Sequence, residues 1–327
     1  TQDDIAAKVF TDGTRWHDLH SFLQRQEWFR TWAFLSNLEQ VKDILDHDIP
    51  VIVGEYSGVD GHCIALTGYD DQMGIIIAQD PNFLDPVEMT YSEFKRAWDY
   101  TDNLVIVTAP DEHAPFIEKL ERKGEDLVRR WFKTLELQFE NKHGPAMQTL
   151  SRLMDDAHGY GSPRRTAIEI AFARGEFEQA HKLALEELET NPARYWALRY
   201  AGDAALQIGD GAAALEFYGK ANRIFPDDPA LHYLRGEISF FAGDRKRGRL
   251  EMTRALEAAP TMVAPRLRLA RDYLETGDLH HAAWHAETVL DYEPETPEAR
   301  DILAKATAAF EDTRKLGLVS KSAKLTN

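Results

Sequence analysis

The sequence predicts an α+β domain with a small antiparallel sheet, followed by an all-α array of repeated helix pairs. Three observations carry that prediction. Pro192, Pro226, Pro260 and Pro294 stand 34 residues apart. Gly175, Gly209, Gly243 and Gly277 keep the same spacing, as do the small residues Ala180, Ala214, Gly248 and Ala282. Short apolar runs of strand length are confined to the first 110 residues. The length of 327 residues fits about two domains. Lys and Arg number 38 against 55 Asp and Glu, and the resulting charge of −17 disfavours nucleic acid and anionic membrane surfaces as partners. The single cysteine, Cys63, excludes a disulfide within the chain, and no apolar run is long enough to span a bilayer.

The elements follow in chain order. Thr1 with Asp4 reads as a capping box on a short first helix, and Ser36 with Glu39 as another opening a helix over 37–47. Strands are predicted at 50–56, 62–69, 74–79 and 104–108, with the polar run 70–73 as a hairpin loop. A helix over 91–99, capped by Thr90 with Glu93, returns the chain to the last strand. Residues 111–158 read as linking helices or a degenerate repeat, in which Leu127, Trp131, Leu135, Ala146, Leu150 and Leu153 form the apolar pattern. Four repeats fill 159–296, a capping helix covers the open end over 297–314, and the tail 315–327 frays.

Each repeat column has a mechanical reason. The glycine ends a first helix, where a left-handed residue is needed. Glu176, Asp210, Asp244 and Asp278 follow it and favour the start of the second helix. The small residue sits where the two helices approach closely, and the proline lies beyond the second helix. Pro229 and Pro297 fall where a new first helix begins. With Gly202, Gly209, Ala214, Tyr218, Ala221 and Pro226 in the second unit, the repeats resemble tetratricopeptide repeats. In that family a peptide or partner protein lies along the face formed by first helices. The resemblance places Arg165, Glu169, Trp196, Arg199, Asp203, Tyr233, Glu237, Phe241, Leu267 and Arg271 there. Trp196, Arg199, Tyr233, Phe241 and Arg271 are the expected peptide-binding set.

In the first 110 residues the runs D-I-P-V-I-V at 48–53, G-H-C-I-A-L-T-G-Y-D-D at 61–71, I-I-I-A-Q-D-P at 75–81 and Y-S-E-F-K-R-A-W at 91–98 occur in order. Their ordering and spacing resemble papain-like cysteine peptidases of the bacteriocin-processing, double-glycine-leader type. The resemblance implies that His62 and Asp80 are the base and orienting carboxylate of a catalytic triad. The family's nucleophilic cysteine opens a helix near the domain's start, preceded by a glutamine that stabilises the oxyanion. Thr1 falls where the element after that helix would begin. Cys63 does not replace it, because neighbours on a strand point to opposite faces, and a small buried packing residue is the expectation there. The chain is therefore expected to be a peptidase-like protein with a peptide- or protein-binding array. It cleaves only if an upstream segment supplies the cysteine, the alternative being an inactive scaffold.

Other patterns imply no metal or cofactor. His281 and His285 stand four apart on a helix without a third ligand, and His17 and His20 are judged alike. Asp80, Asn82 and Asp85 lack a calcium-loop pattern, and no phosphate-binding glycine motif is present.

Overall fold

A computed structural model describes residues 15–56, 61–156 and 159–315. The Thr1 capping box and the tail beyond 315 lie outside the described residues. The chain divides after Ile224 into two compact units, so the division falls between the second and third repeats, whereas the change from strands to helices falls near 110.

The first unit opens with α1 (Trp16–Gln24), β1 (Arg30–Leu35), α2 (Leu38–Leu45), β2 (Val51–Tyr56), β3 (Gly61–Asp70) and β4 (Ile75–Gln79). It continues with β5 (Val87–Thr90), α3 (Tyr91–Trp98), a 3-10 turn (Asp99–Thr101), β6 (Leu104–Ala109) and α4 (Ala114–Lys119). The strands form one antiparallel sheet in the order β1-β6-β2-β3-β4-β5. The four predicted strands are present, and Pro50, which has no N–H to give to a ladder, immediately precedes β2. The two edge strands, β1 and β5, are additions to the predicted set. β5 is only four residues long and alternates between half-buried and exposed positions. Thr90 caps α3 in a full capping box with Glu93. On α2 the expected cap shifts by one residue, because Asn37 accepts from the Gln40 N–H while the Ser36 hydroxyl turns to the Gln40 side chain.

The sheet buries both faces. On one, Phe34, Val53, Ile64, Leu66, Ile76 and Val105 pack with α2, α3 and α4. On the other, Ala33, Leu104 and Ile106 share a core with α5 (Glu125–Phe139) and α6 (His143–Asp156). The same core takes in α7 (Ser162–Ala173), α8 (Phe177–Thr190) and α9 (Tyr195–Gln207). Burial on both sides explains the near-continuous apolar run Leu104–Ala109. The pair α5 and α6 buries Trp131, Leu135, Ala146, Leu150 and Leu153, the pattern read as a degenerate repeat.

The repeats are antiparallel helix pairs. α7 pairs with α8 and α9 with α10 (Gly211–Ile224) in the first unit. In the second, α11 (Pro229–Phe241) pairs with α12 (Arg245–Ala258) and α13 (Val263–Glu275) with α14 (Leu279–Tyr292). α15 (Pro297–Lys315) packs on the last pair. The four glycines of the column have φ of +72°, +89°, +81° and +78°, a region open to glycine at little cost. Asp210, Asp244 and Asp278 each accept an N–H three residues on, and Glu176 makes no such cap. Pro229 and Pro297 are first residues of their helices, and each proline of the 34-residue column stands two residues beyond a second helix.

Candidate active site

Glu55 and His62 face each other across the β2–β3 ladder, and Asp80 follows the last residue of β4. Antiparallel pairing of β3 with β4 brings together His62 and Asp80, which are 18 positions apart, with a register shift between Leu66 and Gly68. The His62 Nε2 and the Asp80 Oδ1 are 2.8 Å apart. The same Oδ1 accepts the Asn82 N–H at 2.8 Å, and the Asp80 carbonyl accepts the Phe83 N–H at 3.0 Å. Asp80 therefore begins a turn and holds the imidazole at once. A carboxylate on Nε2 keeps that nitrogen protonated and leaves Nδ1 with a lone pair. Nδ1 has no partner among the described residues, and the ring is about one fifth exposed.

Glu55 is a site residue that the sequence motifs do not single out. It is 8% exposed, and its Oε2 is buried without a partner among the described residues. Burial pushes its carboxyl up to about 7; nearby Asp80 adds to the rise and His62 opposes it. The signal available was a carboxylate inside the strand run V-I-V-G-E-Y, at the position that strand pairing places opposite His62. Cys63 pairs with Gly54, so strand alternation sends its thiol to the face opposite His62. It is half-buried rather than fully buried, and desolvation, with the Glu55 charge adding to it, pushes its thiol up to about 12.

Residues 3–106 match the model of the Peptidase_C39 like family. The chain carries a Peptidase_C39-like domain joined to a tetratricopeptide-like helical array. Among solved structures it is similar to PilW, a widely conserved type IV pilus biogenesis factor, at 15% identity and a TM-score of 0.49, covering 62% of this chain and 96% of that one. It is also similar to MamA from Desulfovibrio magneticus RS-1, at 18% identity and a TM-score of 0.47, covering 53% and 98%. A thermophilic TPR protein of Thermus thermophilus aligns at 18% identity and a TM-score of 0.42, covering 56% and 99%. No curated protein matches the chain.

The first-helix faces of the array differ between the two units. In the first, residues of the C39-like domain contact part of them. Trp196 is 1% exposed within the shared core, which removes it from the predicted peptide-binding set. Arg165, also placed on that face, is buried and donates to the Tyr100 carbonyl at 2.9 Å. Arg199 lies 3.4 Å from the Tyr56 hydroxyl, which in turn receives the Tyr195 hydroxyl at 2.8 Å. Sequence reading missed the residues that make this junction. Arg194 binds the carboxylates of Asp99, Asp102 and Glu187 at 3.1, 3.0 and 3.2 Å. Asp102, at φ +56°, also accepts the N–H and hydroxyl of Ser162, the first residue of α7. Neither residue belongs to a repeat column, so nothing in the periodicity marks them.

In the second unit Tyr233 is half-buried against Phe240, Met252 and Leu269, and Phe241 is almost fully exposed. Arg271 is exposed and paired with Glu298, and Glu237 with Arg268 at 3.1 Å. Of the three histidines on α14, His281 and His285 both stack on Tyr273 but differ in their polar partners. His281 bonds Asp278 at 2.8 Å, whereas His285 is buried beside Tyr273, and desolvation, with Arg266 and His281, lowers it to about 4. Among the described residues no three metal-ligating side chains cluster, and no helix is long and apolar enough to cross a membrane.

Proposed function

We propose that the C39-like domain carries the base half of a cysteine-peptidase site, with His62 as the base and Asp80 as its orienting carboxylate. The observation that supports this reading is the 2.8 Å His62–Asp80 bond through Nε2, which leaves Nδ1 available for a thiol proton. With a cysteine brought to Nδ1 by a segment outside this sequence, His62 takes the thiol proton and the thiolate sulfur bonds to a peptide carbonyl carbon. The imidazolium returns the proton to the departing amine as the C–N bond breaks, and water then hydrolyses the thioester. Asp80 keeps its negative charge throughout and stabilises the imidazolium. Within this reading the second unit supplies the peptide- or protein-binding surface, through Tyr233, Phe241 and Arg271.

One observation favours a second reading, an inactive peptidase fold serving as an interaction scaffold. Cys63, the one cysteine in the sequence, lies on the other face of β3 with its thiol pushed up to about 12. The two readings separate in a chain extended at its N-terminus by a segment carrying a cysteine helix, assayed on candidate peptides. In the peptidase reading His62→Ala lowers kcat at least ~100-fold, and Phe241→Ala raises KM with kcat little changed. Cleavage that His62→Ala leaves unaltered would refute the triad assignment, and failure of every extended chain to cleave supports the scaffold.

A further inference from the structure

We propose that Glu55 is a positioning residue of the His62–Asp80 pair, a second carboxyl whose ionisation governs the charge of the imidazole. For its consequence in catalysis this rests on the peptidase reading above; the electrostatic coupling itself does not.

The geometry begins with register. Glu55 and His62 are directly opposed on adjacent antiparallel strands, so their side chains leave the sheet on one face with Cβ atoms roughly 5 Å apart. That face is otherwise apolar along β2, where Val51 and Val53 are fully buried. A carboxyl continuing that row gains nothing from packing, and its Oε2 is buried without a hydrogen bond among the described residues. An orphaned buried oxygen costs stability, so a compensating role is to be sought in what it faces. It faces His62 from β3 and Asp80 from the end of β4. Helix α3, which packs on β2, buries Phe94, Ala97 and Trp98 and leaves Lys95 and Arg96 exposed. Cys63, on the far side of β3, also senses the charge.

His62 therefore has two carboxyl neighbours of unequal character. Asp80 is tied by two hydrogen bonds at 2.8 Å, whereas Glu55 has an unmatched buried oxygen. Burial holds the Glu55 carboxyl up near 7, so it changes charge in the range where imidazoles titrate. Below that range Glu55 is neutral and Asp80 alone supports the imidazolium. Above it a second negative charge opposes loss of the imidazole proton. The effect extends the imidazolium, and with it any thiolate–imidazolium pair, to higher pH.

The test is an NMR titration of the His62 ring in the chain as given, from about pH 4 to pH 9. In the wild type its ring signals should move in two coupled steps, one of them shared with Glu55. In Glu55→Gln they should move in one step, with the midpoint lower by about half a unit or more. Glu55→Asp, which keeps the charge at a shorter reach, should restore part of the lost response. An unaltered His62 midpoint in a folded Glu55→Gln chain would overturn the proposal. If that variant does not fold, the Glu55 carboxyl carbon can be followed in the wild type, and a Glu55 step without a matching His62 response is equally decisive. No peptide cleavage enters these measurements. Failure of the coupling thus leaves the peptidase reading standing, and failure of cleavage leaves the coupling standing.

Discussion

At the scale of single residues, Glu55 makes a claim on stability as well as on charge. Its ordinary value of 4.5 rises to about 7 in the fold, mainly by burial. The folded protein therefore holds this proton more tightly than the unfolded chain does. The contribution is fully present below about 4.5, declines as pH rises and is lost by about 7. Above neutrality a buried negative charge remains, at a cost on the order of 3 kcal/mol. Glu55→Gln carries no such charge. Urea unfolding should accordingly find the variant more stable than the wild type at pH 8 by roughly 3 kcal/mol, with the advantage vanishing or reversing at pH 5. The quantity to read is the difference between the two proteins, because other groups titrate equally in both. A difference that stays constant over this range would mean that Glu55 is ionised at low pH in the fold, contrary to its burial beside Asp80.

At the scale of elements, the helix pairs depend on how closely two backbones approach. Gly202 on α9 faces the ring of Tyr218 on α10, and a Cβ there would come within 2.5 Å of Cε1. The ring is fully buried and its hydroxyl donates to Asp203 at 2.6 Å, so it has little room to retreat. Gly202→Ala should cost about 1–3 kcal/mol in denaturant unfolding. Gly219, also on α10, has nothing within 4 Å of a Cβ, and Gly219→Ala should stabilise by about 0.5–1 kcal/mol through helix propensity alone. Equal effects at the two sites would contradict the close approach. This contrast also shows what was legible in the sequence. The 34-residue columns reveal the helix pairs because each column reports a local necessity, whether a left-handed residue, a close contact or a helix stop. That His62 and Asp80 come together was legible because one hairpin joins their strands. Edge strands β1 and β5 were not, since a short strand with a single neighbour leaves a weak alternation signal. The burial of Trp196 was not legible either, because a first-helix position has the same sequence appearance whether peptide, water or a neighbouring domain covers it.

At the scale of the whole molecule, the element type changes near residue 110, but the core does not end there. Ala33, Leu104 and Ile106 from the sheet share one buried cluster with residues of α5 to α9. Three short polar links reinforce it: Asp102 to Ser162 and Arg194, Arg165 to the Tyr100 carbonyl, and Tyr195 to Tyr56. Cutting the chain after 110 would expose that face of the sheet and strip Asp102 of its partners. A fragment of residues 1–110 should therefore bind a hydrophobic dye and unfold without a cooperative transition, the behaviour of a collapsed state lacking fixed packing. A fragment of residues 1–224 keeps the entire cluster and its links, and should unfold cooperatively with dispersed amide signals. The His62–Asp80 pair lies on the sheet face that packs with α2 and α3, away from the repeats, so any disturbance of it in the shorter fragment would come from loss of the sheet itself. If residues 1–110 alone gave a cooperative transition and dispersed signals, the first repeats would be an attachment to the C39-like domain. The buried Arg194 cluster and the shared core require instead that the peptidase-like sheet and the first two repeats fold as one body.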